Sequence, residues 1–245
     1  MITIYARKDL GYRRGKMAAQ SAHALMKLTL ESFEKQGEQL FCSTEVHRLL
    51  QVLATQPDLV KIEWVDSAER IHELEELHGP YASSIIDNGK TESNGIPTLT
   101  CLAVDNSKTF KRVREIEFEE SRYNCKQVLV MRSDMKLSKE QQMATATQVS
   151  CKVLSDTLTA LPGAGYVIDL GNESNELLSS WLSGAFAKIG VKGKGQETME
   201  SILELAAAKG LTTTQIACEG EILALGVGPA TAEMHQGVTS ELKLY

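Results

Sequence analysis

The chain has no apolar run long enough to cross a bilayer, and its first apolar stretch, Ile2 to Ala6, is followed at once by Arg7, Lys8 and Asp9. Neither a membrane span nor a signal peptide is expected. Disulfide chemistry is missing too. The five cysteines, Cys42, Cys101, Cys125, Cys151 and Cys218, are odd in number, widely spaced and without a C-x-x-C pair. That pattern opposes a disulfide frame or a zinc site and favours free thiols in a reducing compartment, with the cytoplasm as the expected setting. No metal-ligand spacing, Walker loop or Ser-His-Asp arrangement occurs, so no metal or cofactor is expected. Positive charge is scarce as well. The net charge is −6, with 16 basic and 19 acidic side chains in residues 1–122 and 10 and 13 in residues 123–245. Such a balance excludes a general polyanion binder, because nucleic-acid affinity comes largely from neutralising phosphates. Any RNA contact must come from a local basic patch.

What the chain does have is a repeat. Ile4 to Leu10 lies over Leu129 to Met135, each a short apolar run ending in Arg-x-Asp-apolar, at an offset of 125. Lys61-Ile62 lies over Lys188-Ile189, Ile71 to Leu74 over Ile202 to Leu205, and Ser84-Ile85 over Gln215-Ile216. Cys101 to Val104 then lies over Ala224 to Val227. The matches keep their order, and the element pattern repeats with them: strand, helix, strand, helix, strand, strand.

In the first copy, β-branched and apolar residues predict strands over residues 2–7, 59–65, 82–86 and 99–104. Helical spacing predicts a helix from Gly15 to Leu30, and Ser67 is the expected N-cap of another from Ala68 to His78, stopped by Gly79-Pro80. Phe33 to Leu53 is expected to add a further helix. In the second copy, Leu161-Pro162-Gly163-Ala164-Gly165 is expected to be a loop before a helix over residues 177–186, and residues 114–123 serve as linker. Strands alternating with helices predict an α/β fold of two tandem units with largely parallel sheets, residues 1–115 and 124–245.

The copies differ where chemistry would sit. Lys16, Gln20 and His23 recur at +4 and +3 and share one helix face, with Lys16 near a helix N-terminus that already favours anions. A cation and an imidazole on that stripe form a candidate anion site with an acid/base group. The bland alternative is a solvated first-turn lysine and a hydrogen-bonded core histidine. Asp87-Asn88-Gly89-Lys90-Thr91 ends a strand in a turn, at the carboxyl edge where α/β sheets bind ligands. Its alternative is a plain turn held by the Asp side chain. Gln141 and Gln148 lie over Lys16 and His23, or Gln142 and Val149 if one residue is inserted. Eight residues that include the Asp87 turn are missing from the second copy, which has Ala217-Cys218-Glu219-Gly220 instead. The four polar candidates vanish together while the apolar frame persists, as a site abandoned as a unit would.

Gly15-Lys16-Met17-Ala18-Ala19-Gln20-Ser21-Ala22-His23-Ala24 after Arg7-x-Asp9-Leu10, with Asp87-x-Gly89-x-Thr91, closely resembles the type 2 peptidyl-tRNA hydrolases. The second copy is similar, opening with Arg132-Ser133-Asp134-Met135-Lys136 and ending with Gly226-Val227-Gly228-Pro229 and Val238 to Leu244. The resemblance implies three-layer α/β/α units, each on a mixed four-stranded sheet. Members are normally homodimers that cleave the ester joining a peptide to the tRNA 3′ end. Carried over, the catalytic set is Lys16, His23, Asp87 and Thr91. Asp87, with His23, would orient or deprotonate the attacking water, Lys16 would stabilise the oxyanion or hold a terminal phosphate, and Thr91 would place a hydroxyl. The chain departs from the family at Asn88, where Ala is usual. The first copy also has the basic run Lys108 to Arg114 in place of the family's closing strand. With Arg13 and Arg14 that run is a candidate phosphate patch, and Arg13, Arg14, Gln20, Gly89, Lys111 and Arg112 are the expected tRNA contacts.

The expectation is therefore a covalent pseudodimer that hydrolyses peptidyl-tRNA through its first copy. A non-catalytic binder of tRNA 3′ ends or small nucleotides is the alternative. An interaction scaffold built on Phe33 to Leu53 and Leu161 to Trp181 is a third reading.

Overall fold

A computed structural model describes residues 1–89, 92, 94–119, 121–163 and 165–245, apart from the side chain of Pro57. The first unit runs β1 (Ile2–Arg7), α1 (Arg14–Glu31), β2 (Glu34–Gln36), β3 (Gln39–Cys42) and α2 (Thr44–Leu53). It continues through β4 (Val60–Val65), α3 (Ala68–His78), β5 (Ala82–Asp87) and β6 (Thr98–Asp105). The second runs β7 (Lys126–Arg132), α4 (Lys139–Thr157), β8 (Thr159–Leu161), β9 (Gly165–Asp169) and α5 (Glu176–Ser183). Its last elements are β10 (Lys188–Gly193), α6 (Gln196–Ala208), β11 (Thr213–Cys218) and β12 (Glu221–Ala230).

Each unit carries a mixed four-stranded sheet, ordered β4-β1-β6-β5 in the first and β10-β7-β12-β11 in the second. In both, only the first pair is parallel. The largely parallel sheet expected from alternating helices is thus corrected: one pairing in three is parallel, because β6 and β12 run antiparallel to both of their neighbours. Outer clusters pack Ile71 and Leu74 of α3 on one sheet and Met199 and Ile202 of α6 on the other. Between the sheets lie α1 and α4. One core spans both units, joining Ile4, Met17 and Leu25 to Leu129, Met143 and Leu154. Helix α1 is buried on nearly every side, from Met17 to Ala22 and from Ala24 to Met26. The helix lies inside the molecule although one of its faces carries Lys16, Gln20 and His23.

Phe33 to Leu53 is not one helix. Residues 34–42 form a hairpin, and the helix begins only after Ser43, whose side chain accepts the Val46 N–H. Where a loop is expected at residues 161–165, Leu161 and Gly165 are paired ends of two antiparallel strands, β8 and β9, and Ala164 lies outside the described residues. The hairpins pair across the units, β3 against β9, giving a third sheet ordered β2-β3-β9-β8. Neither short strand could have been stable alone, so the pairing partner decides the conformation. The helix expected over residues 177–186 ends at Ser183. The sequence overlay of Lys61 on Lys188 also slips by one. Thr3 pairs with Lys61 and Val128 with Ile189, which puts Val60 opposite Lys188 in the repeat. In a strand such a slip exchanges the two faces. Val238 to Leu244 forms turns and not a closing strand, with only Leu244 bridging to Val191. Among the described residues, no helix is long and apolar enough to cross a membrane.

Candidate active site between the two units

Helix α1 starts without a side-chain cap. Its first turn meets the second unit instead. The Gly15 N–H donates to the Tyr245 carbonyl at 3.3 Å, and a Cβ on Gly15 would lie 2.9 Å from the Gly190 carbonyl oxygen. Only glycine allows β10 to approach this closely. Helical spacing then aims Lys16, Gln20 and His23 into a cavity of about 340 Å³ lined also by Asp87, Lys126 and Lys188.

The carboxylate of Asp87 is the hub. Its Oδ1 accepts Lys16 Nζ at 2.6 Å and Gln20 Nε2 at 3.0 Å. Its Oδ2 accepts the Gly89 N–H at 3.2 Å. Both side chains of the ion pair are mostly buried, at 15% exposure for Lys16 and 11% for Asp87. Gln20 is fixed from behind, because its Oε1 accepts the Thr100 hydroxyl at 3.0 Å. Gly89 acts through its backbone: its φ is +75°, and a Cβ there would lie 2.5 Å from the Ile96 carbonyl oxygen. The turn thus holds Asp87, whether or not Gly89 touches a ligand.

His23 lines the same cavity but is not hydrogen-bonded to Asp87. Its ring meets Phe186 of the second unit, with centroids 5.7 Å apart, and its buried Nε2 has no hydrogen-bond partner among the described residues. Burial first, then the neighbouring amines of Lys188 and Lys16, hold the imidazole well below its ordinary pKa against the opposing Phe186 carbonyl. A neutral ring with an unused nitrogen is suited to accept or relay a proton. Thr91 lies outside the described residues, as does Lys90.

Of the remaining expected contacts, Arg13 lines the cavity and is paired with Glu92 at 2.8 Å, and Arg14 turns toward α4, where its guanidinium donates to Gln142. Lys111 and Arg112 are not brought to the site. Arg112 sits 3.6 Å from Glu75, and the following Val113 and Arg114 N–H groups meet the Glu31 carbonyl at the far end of α1. Eighteen residues of helix separate the two ends by about 27 Å. The basic run there is structural, since Arg114 donates to the carbonyls of Phe33 and Leu30.

The second unit's counterpart of this site has a cavity but different polar residues. Helix α4 begins with a capping box in which Ser138 and Gln141 satisfy each other's backbone, and Gln141 stands where Lys16 would. Gln148, in the place of His23, donates to the carbonyls of Leu53 and Gln56. Cys218 replaces Asp87 at the end of β11, and a two-residue turn, Glu219-Gly220, replaces residues 88–97. A family model described as Peptidyl-tRNA hydrolase PTH2 matches residues 1–114 and again 125–245. The chain belongs to this family. "Probable peptidyl-tRNA hydrolase 2" of Dictyostelium discoideum is 30% identical over 139 residues, 54% of this chain and 60% of that protein. "Peptidyl-tRNA hydrolase 2, mitochondrial" of Bos taurus is 30% identical over 128 residues, 49% of this chain and 64% of that protein. The Homo sapiens protein of the same name is 30% identical over 151 residues, covering 57% and 76%. The first two matches span less than two thirds of the relatives' length. Within this PTH2 chain, Thr100, Glu92, Lys126, Lys188 and Tyr245 escaped the sequence reading. The second-unit residues carry no motif of their own, and only the pairing of Gly15 with Gly190 brings them to α1.

Proposed function

We propose that the chain hydrolyses the ester of peptidyl-tRNA, or of N-blocked aminoacyl-tRNA, in the cleft of a unit spanning residues 1–115. Residues 124–245 form the degenerate unit, standing where a second subunit would in an intramolecular pseudodimer. The observation that carries this reading is the convergence of Lys16 and Gln20 on one oxygen of Asp87, inside a cleft, in a chain of the PTH2 family. Asp87 orients a water on the ester carbonyl and takes its proton, and Lys16 stabilises the oxyanion that forms. Collapse of the tetrahedral intermediate expels the ribose oxygen, which takes up a proton, and leaves the peptide as a carboxylate. His23 offers its unused nitrogen for relaying that proton, and Thr91 places a hydroxyl. Arg13 and Gln20, which line the cleft, are our proposed ligand contacts among the first-unit side chains, and Arg14 is directed to Gln142 instead. The tRNA enters as substrate, and the cytoplasm is the compartment we propose, in keeping with thiols of which four of five are buried and unpaired.

Purified protein should release the acyl group from N-acetyl-aminoacyl-tRNA in the presence of a chelator. Asp87→Ala or Lys16→Ala should lower the rate by about 100-fold or more, as loss of a base or an oxyanion donor does. Tight binding of tRNA ends without turnover would replace this reading with the non-catalytic binder.

A further inference from the structure

The first unit's cations in the cleft are already matched: Arg13 by Glu92 and Lys16 by Asp87. The second unit adds Lys126 and Lys188 to the same lining. Among the described residues, no carboxylate pairs with either. Lys188 is held in an unusual way. Its Nζ donates to the Phe186 carbonyl at 2.9 Å and lies 4.6 Å from the ring centre of Trp181 and 4.5 Å from that of Phe186. The backbone that delivers it is strained, since Ala185 and Phe186 have φ of +65° and +40°. The repeat supplies an internal comparison. The register counterpart of Lys188 on β4 is Val60, which lines the degenerate cleft. The frame therefore accepts an apolar residue at this register position, with Lys61 one residue further along the strand in that cleft.

We propose that Lys188, helped by Lys126, binds a phosphodiester group of the ligand held against Lys16, Gln20 and Asp87, so that the second unit completes the first unit's site. This rests on the reading of the cleft as one for tRNA 3′ ends. The titratable groups that act on Lys188 are His23 on α1 and Cys151 on α4, and the carboxylates that share the cavity lining, Asp87 and Glu92, are paired with Lys16 and Arg13. Burial accordingly holds the amine well below its ordinary pKa, with only a small opposing effect from Cys151. An incoming phosphodiester anion supplies the missing counter-charge, and the amine takes a proton from solvent as the ligand binds. Ligand capture is thereby linked to proton uptake.

The test is calorimetric titration of the full chain with the trinucleotide CCA, the common tRNA 3′ sequence, at pH 8 in two buffers of different ionisation heat. Wild type should take up protons on binding. Lys188→Met should lose the uptake and bind about tenfold or more weakly, the usual cost of a charged hydrogen bond. Its melting temperature should hold or rise, because the change removes an amine from apolar surroundings. Acetylation traced by mass spectrometry reads the wild type independently: Lys188 should label faster than surface lysines at pH 7, and CCA should protect it. Uptake that persists in Lys188→Met, unaltered affinity, absent CCA binding or unprotected labelling would each overturn the proposal. Turnover without uptake would refute this role of Lys188 alone. Uptake without turnover would refute the hydrolase and leave Lys188 as the anion site.

Discussion

His23 and Gln148 occupy matching places on two matching helices, and their environments separate function from framework. Gln148 spends its amide N–H groups on two carbonyls of the neighbouring unit and buries its Oε1 without a partner among the described residues, whereas His23 lines the cleft beside Lys188 and Lys16. That choice has a thermodynamic signature. The folded state holds His23 neutral, while the unfolded chain protonates it below about pH 6.5. The unfolded state then binds more protons, so stability falls as pH drops from that point toward the depressed folded value. His47 and His235 are also depressed by burial and act in the same direction. The melting temperature should fall between pH 7.5 and pH 5, and His23→Gln should shrink that fall without removing it. An identical pH profile in the variant would mean that the imidazole is not held neutral. At this scale the sequence was informative for polar residues on one helix face. Helical periodicity alone put Lys16, Gln20 and His23 together, and comparing the copies singled them out. Thr100 and Glu92 were invisible because their partners are 80 and 79 residues away.

Helices α1 and α4 carry the contrast to the level of elements. The former leaves its start without a side-chain cap and meets the Tyr245 carbonyl, whereas the latter is closed by its Ser138–Gln141 box. Replacement of Lys16 by a capping glutamine exchanges an ion pair in a cleft for local helix stability. Ser138→Ala should therefore cost about 1 kcal/mol. In a chain of this size that lowers the melting temperature by about 2–4 °C. Turnover should be unchanged, since the cap lies in the abandoned cleft, and a large loss of activity with normal melting would contradict the assignment. Elements with strong periodicity or clear stop signals were legible, as α1, α3 and the strands of both main sheets attest. The hairpins at residues 34–42 and 159–169 were not. Their stability comes from pairing with each other across the units, a contact that no local pattern encodes.

For the whole molecule, our proposal is that the tandem arrangement places two parts of one site on one chain and leaves the second cleft without that chemistry. The core joining α1 to α4 makes the units mutually dependent, and Gly15 against Gly190 sets the close approach through which the second unit reaches the intact cleft. On our proposal the acidic net charge does not oppose a tRNA ligand, because Lys126, and Lys188 once it takes up a proton, face the ligand where the first unit's own cations are already paired. The asymmetry between the clefts is the claim on which everything else depends. It is tested by single-turnover release from N-acetyl-aminoacyl-tRNA with Asp87→Ala and Cys218→Ala compared side by side. The account predicts a rate lowered by about 100-fold or more for Asp87→Ala, and a wild-type rate for Cys218→Ala. Equal rates in the two variants would contradict it.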